Sequence, residues 1–153
     1  MNANLDFSPK AIIEAAQSSL NFEAEAISQL KNRINHDFIE AVQIIAKHNG
    51  KVVITGIGKS GLIGRKIAAT LCSTGTRAVF LHSTEALHGD LGIYSPGDIT
   101  IFISKSGTTS ELLRLLPILH ILKSPLIGIL GNLNSPLARQ IDFVLDASVV
   151  HEA

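Results

Sequence analysis

Two loops in the chain carry residue types suited to gripping an anion. Residues 104–111, SKSGTTSE, supply hydroxyls from Ser104, Ser106, Thr108, Thr109 and Ser110, and Gly107 lets the backbone approach a ligand. The segment stands between a strand pattern and a helix pattern. A helix N-terminus has free N–H groups and a partial positive charge, so this is a site for an anion, most naturally a phosphate monoester. Ser and Thr are also common as plain helix caps. Five hydroxyls in seven residues exceed what one cap uses.

The other loop lies in VVITGIGKSGLIGRK, residues 52–66, with G-x-G-x-x-G at Gly56, Gly58 and Gly61 and the run Gly58-Lys59-Ser60. A P-loop would need glycine where Val53 stands, inside the strand. A dinucleotide site needs an acidic residue where the next strand ends. His82 and Ser83 stand there, and Glu85 lies beyond it. Glycines that serve only a tight turn and close helix packing are the bland alternative. In the remaining reading, Ser60 joins Ser104, Ser106 and Thr109 around one phosphate, which requires the two loops to meet.

The elements that must bring them together are legible as patterns. Ser8-Pro9 reads as a helix start, followed by apolar residues at helical spacing from Ile12 to Leu30. A second helix runs from about Asp37 to a left-handed cap at Asn49-Gly50. Strands are then predicted at KVVITGI, RAVFLH, DITIFIS, SPLIGILG and DFVLDAS. The intervening helices fall at 60–74, 84–88, 110–123 (with Pro117 inside) and SPLARQI, and SPGD at 95–98 is a turn. Strands apolar on both faces belong in a parallel sheet covered by helices.

The expected fold is α/β, a three-layer αβα sandwich with a five-stranded parallel sheet of flavodoxin-like order 2-1-3-4-5. Residues 1–153 read as one domain, with 1–50 as its helical N-terminal part. In that order strands 1 and 3 are neighbours, and both loops face the crevice at their carboxyl ends.

Thirteen basic and thirteen acidic residues cancel, so no overall field draws the chain to nucleic acid or an anionic membrane. A content of 46% hydrophobic and 17% charged residues argues for a compact globular chain. No apolar run is long enough for a membrane span. The single Cys72 and an N-terminus without signal-peptide features point to the cytoplasm. His82, Glu85 and His88 recur every three residues, but this is not a zinc spacing, and neither a metal nor another cofactor is expected. His88 stands in a polar loop, where it suits a ligand or acid/base role.

The motifs Gly56-Ile57-Gly58-Lys59-Ser60 and Ser104-Lys105-Ser106-Gly107-Thr108-Thr109 resemble those of the sugar isomerase (SIS) domain family. HSTEALHGDLG at 82–92 and GKSG at 58–61 are similar to the arabinose-5-phosphate isomerases, which interconvert D-arabinose 5-phosphate and D-ribulose 5-phosphate on the way to the lipopolysaccharide sugar Kdo. The resemblance implies catalytic roles for Lys59, His88, Glu111 and Glu152. It implies substrate-phosphate binding by Ser60, Ser104, Ser106, Gly107 and Thr109. Proton transfer between neighbouring carbons through an enediol needs a base and an oxyanion stabiliser. Glu152 is favoured as that base, with His88 competing. Glu111 also has a plain reading as a favourable charge at a helix start.

The resemblance further implies homodimers or homotetramers. The family's domain continues past the fifth strand into a further helix and an additional histidine, so the chain, ending at Ala153, is expected to be C-terminally incomplete and without CBS domains. A non-catalytic sugar-phosphate sensor is the alternative. It would keep the hydroxyls but not need the acid/base set.

Overall fold

The computed structural model of the chain describes residues 6–149, which fall into two compact units. One reaches to Arg33 and includes residue 149; the other is Ile34–Ser148. In the first, helix α1 (Pro9–Leu30) starts at the Ser8-Pro9 signal. Ser8 Oγ accepts from the Ala11 N–H at 3.3 Å, and Pro9 occupies the first turn, where its missing N–H costs no helical bond. Lys10 pairs with Glu14 at 3.7 Å one turn apart.

The second unit opens with α2 (His36–Lys47), capped by Asn35, whose Oδ1 accepts from the Phe38 N–H at 3.2 Å. Strands β1 (Val52–Thr55), β2 (Ala78–Phe80), β3 (Ile99–Ser104), β4 (Leu126–Leu130) and β5 (Phe143–Asp146) are all parallel, in the order β2-β1-β3-β4-β5. This is the flavodoxin-like order expected from the alternation of patterns. Between the strands run α3 (Gly58–Ser73), α4 (Ser83–Leu87) and α5 (Ser110–Ile121). SPLARQI yields only a 3-10 turn, Ala138–Gln140, opened by Ser135 Oγ accepting from the Ala138 N–H at 3.2 Å.

Both faces of the sheet are covered, which explains strands that are apolar throughout. On one face Val53 and Phe102 pack with Ala86 of α4 and with Leu112, Leu115, Leu116 and Leu119 of α5. On the other, Val52, Ile54, Ile101 and Ile103 pack with Ala41 of α2 and Ala68 of α3. Each fully buried leucine contributes about 1.5–3 kcal/mol of transfer free energy. Four such residues on one side of α5 hold that helix to the sheet with Pro117 inside it.

The end of α2 corrects the sequence reading. His48 follows the helix in extended conformation (φ −74°, ψ 155°), and neither Asn49 nor Gly50 has a positive φ. Gly50 is required for another reason: a Cβ there would lie 2.4 Å from the Gly97 carbonyl oxygen. The SPGD turn packs directly on the backbone that enters β1.

That turn anchors the amino end of the sheet. Asp98, 2% exposed, accepts from the Lys51 N–H (2.8 Å), the Lys51 ammonium (2.5 Å) and the Ser95 N–H (2.7 Å). Burial pushes its carboxyl up, but the Lys51 ammonium and the two N–H donors outweigh this and hold it below its ordinary value. Behind it, Ser124 Oγ donates to the Asp98 carbonyl at 2.9 Å. A hydroxyl has one proton, so Thr100 donates to Ser124 (2.9 Å) and Tyr94 to Thr100 (3.0 Å). Burial pushes the Tyr94 phenol up to about 12.

A carboxylate depressed in the folded state stabilises above its unfolded pKa, near 3.9, and that contribution is lost as pH falls through the folded value. Asp98→Asn is expected to cost about 2–4 kcal/mol in urea unfolding at pH 7. The wild-type advantage should shrink as the pH is lowered below about 4. A pH-independent difference between the two proteins would contradict this.

Candidate functional site

Parallel pairing of β1 with β3 sets Thr55 beside Phe102, so the two loops leave adjacent strands at the same edge of the sheet. Between them lies a pocket of about 420 Å³. Ser60 from the first loop, and Ser104, Ser106 and Thr109 from the second, all line it. Ile57, Ile103 and Leu112 supply apolar wall, and Lys105, Gly131 and Asn132 complete it. The four hydroxyls that the sequence singled out therefore do converge.

Their hydrogen bonds leave them able to serve an anion. Ser104 Oγ accepts from the Gly107 N–H at 3.0 Å. Ser106 Oγ accepts from the Thr108 N–H at 3.3 Å and from the Thr108 hydroxyl at 3.1 Å. Each serine thus accepts from the loop, Ser104 once and Ser106 twice, and keeps its own proton to donate. Thr109 occupies the N-cap position of α5 but makes no side-chain capping bond, so its hydroxyl is not consumed as a cap. Ile57, in the same position on α3, has no polar group with which to cap. Both helices therefore start without a bond from an N-cap side chain, at residues adjoining the pocket, and helix N-termini favour negative charge.

Gly107 does not line the pocket; it shapes the loop. Its φ is +63°, and a Cβ would stand 2.0 Å from Ser135 Oγ. Its carbonyl accepts from the Leu137 N–H at 3.1 Å, and the Gly131 N–H donates to the Ser104 carbonyl at 3.1 Å. The segment after β4 therefore braces the second hydroxyl loop from behind. Sequence reasoning passed over this segment, Asn132 and Ser135 included. Its only signal was a polar GNLNS run at the end of a strand.

The residues assigned to catalysis are placed differently. Lys59 is exposed and precedes Ser60 in the first turn of α3. His88 is exposed at the C-terminal end of α4. Glu111 stands in the first turn of α5, where its own backbone N–H and the Ser110 hydroxyl (2.9 Å), with smaller help from Arg114 and His82, hold its carboxyl below the ordinary value. None of these three lines the pocket. Glu152 and His151 lie outside the described residues. His82 Nδ1 accepts from the Thr84 N–H at 3.3 Å as a cap on α4, and among the described residues no group of three His, Cys, Asp or Glu is arranged to hold a metal.

A five-stranded parallel sheet between helices, with a hydroxyl-lined pocket at the carboxyl ends of its first and third strands, places the chain among the open α/β domains. Residues 44–153 match the SIS domain, and the chain belongs to that family. It is 44% identical over its whole length to arabinose 5-phosphate isomerase KdsD of Pseudomonas aeruginosa, covering 45% of that protein. It is 48% identical over 143 residues to arabinose 5-phosphate isomerase GutQ of Salmonella typhimurium, covering 94% of the chain and 44% of GutQ. The chain thus spans less than half the length of these relatives. An Escherichia coli CFT073 protein solved in complex with arabinose 5-phosphate superimposes with a TM-score of 0.89 at 36% identity, over 95% of this chain and 78% of that one. Among the described residues no helix is long and apolar enough to cross a membrane.

Gly107→Ala would impose a side chain on a left-handed backbone against Ser135. It is expected to cost about 2–4 kcal/mol in urea unfolding and to weaken inorganic phosphate binding measured by calorimetry. Wild-type values for both would contradict the bracing role.

Proposed function

We propose that the chain is the sugar-phosphate-handling domain of an aldose-ketose isomerase that interconverts D-arabinose 5-phosphate and D-ribulose 5-phosphate. The observation that carries this reading is the convergence of Ser60, Ser104, Ser106 and Thr109 on one pocket of about 420 Å³. That volume lies in the range usual for small-molecule sites, about 300–1,000 Å³. The relatives' names and the neighbour solved with arabinose 5-phosphate support the choice of substrate.

In this reading the phosphoryl oxygens accept from the four hydroxyls and from the N–H groups opening α3 and α5, and the carbon chain extends away from them. A base removes the proton on C2 while the C1 carbonyl oxygen gains one, giving an enediol. The proton is then returned to C1 as the C2 hydroxyl loses its own. Glu152 is our choice for the base, with His88 as the competing candidate. Lys59 supplies positive charge near the oxyanion. Glu111, held ionised, acts as a fixed negative charge that orients its neighbours. The reaction needs no metal or other cofactor. Residues 1–153 act as a single domain, in a cytoplasmic homodimer or homotetramer without nucleic acid or membrane partners, and the product serves the path to Kdo.

Proton NMR of D-arabinose 5-phosphate in deuterated water with the protein is expected to reveal ketose, with deuterium entering C2 of the aldose. Glu152→Gln should abolish that exchange and leave binding intact. Ser106→Ala should weaken binding about 10–100-fold, as loss of a hydrogen bond to a charged group does. Binding without exchange in the unaltered protein would favour the sensor, and an unchanged affinity in Ser106→Ala would remove the phosphate site.

A further inference from the structure

One polar side chain in the pocket wall, that of Asn132, comes from neither hydroxyl loop. Asn132 lies just past the end of β4, whereas the cradle hydroxyls come from the loops after β1 and β3. Its surroundings fix it from three sides. The Gly131 N–H is tied to the Ser104 carbonyl (3.1 Å), the Asn132 carbonyl accepts from the Ser135 N–H (3.4 Å), and its side-chain Oδ1 accepts from the Asn134 N–H at 3.0 Å. The two Nδ2 protons of the amide are left to donate, while Oδ1 already accepts one bond from the turn. Among the described residues Nδ2 has no hydrogen-bond partner, and Asn132 is exposed at the pocket wall.

Three terminal phosphoryl oxygens already meet four hydroxyls and two uncapped helix starts. A neutral side-chain amide with two donors, brought in from the segment after β4, therefore matches a different acceptor. The remaining ligand chemistry is a row of sugar hydroxyls, each with lone pairs to offer. Ile57, Ile103 and Leu112 cannot bond them.

We propose that Asn132 is a specificity-determining residue whose side-chain amide donates to hydroxyl oxygens on the carbon chain of a bound sugar phosphate, and not to its phosphoryl group. This rests on the phosphate reading given above. A site that hydrogen-bonds a hydroxyl discriminates strongly against ligands lacking it. Asn132 therefore senses the sugar, while the hydroxyl loops sense only the phosphate.

The test uses Asn132→Ser, which keeps an oxygen to accept from the Asn134 N–H and removes the amide donors. Calorimetry would measure inorganic phosphate and D-arabinose 5-phosphate separately. The sugar phosphate should bind about 5-fold or more weakly while inorganic phosphate stays within about 2-fold, which also shows that the pocket is still formed. Equal weakening of both ligands would assign Asn132 to the phosphate, and no change in either would leave it without a role; both results overturn the proposal. If the unaltered chain bound neither ligand, the phosphate reading would fall and this inference with it.

Discussion

The site depends on one constraint, the side-by-side parallel pairing of β1 and β3. Sequence order separates Ser60 from Ser106 by the rest of α3, then β2, α4, a 3-10 turn at Asp90–Ile93 and β3. Register brings them together: with Thr55 set beside Phe102, the chain leaves both strands at one edge and enters α3 and α5 there. Neither loop alone forms the pocket. The first brings one hydroxyl and an uncapped helix start, and the second brings three lining hydroxyls and another uncapped start.

Precision comes from the neighbours of that pair. Behind the second hydroxyl loop, the segment after β4 closes on Gly107 so tightly that only glycine fits, and it fixes Asn132 in the wall. At the opposite edge of the sheet, Asp98 ties the turn before β3 to the backbone entering β1. The hydroxyl-lined pocket sits at the carboxyl edge and the polar network around Asp98 sits at the amino edge. This division suits a sheet whose strands are buried on both faces and must take their register from their ends.

Much of this was legible in the sequence, for identifiable reasons. Strand order followed from the β-α alternation and from apolar runs such as ITIFIS. The convergence of Ser60, Ser104, Ser106 and Thr109 on one pocket followed from hydroxyls clustered where a strand gives way to a helix. The misread end of α2 shows the limit: Asn49-Gly50 has the composition of a left-handed cap, yet Gly50 is there because the Gly97 carbonyl comes too close for a Cβ, a contact between residues 47 positions apart. Asn132 and Ser135 were missed for the same reason, since their importance lies in what they touch. Lys59, His88 and Glu111 were singled out by family resemblance; Lys59 and Glu111 stand in the first turns of α3 and α5, His88 follows α4, and none of the three lines the pocket.

The most direct measurement of the central claim is an amide NMR titration of the chain with inorganic phosphate. If one phosphoryl group is held by both loops, the N–H signals of residues 58–60 and of residues 106–111 will shift together and saturate with a single dissociation constant. Shifts confined to one loop, or two sets of shifts with different constants, would contradict a shared cradle.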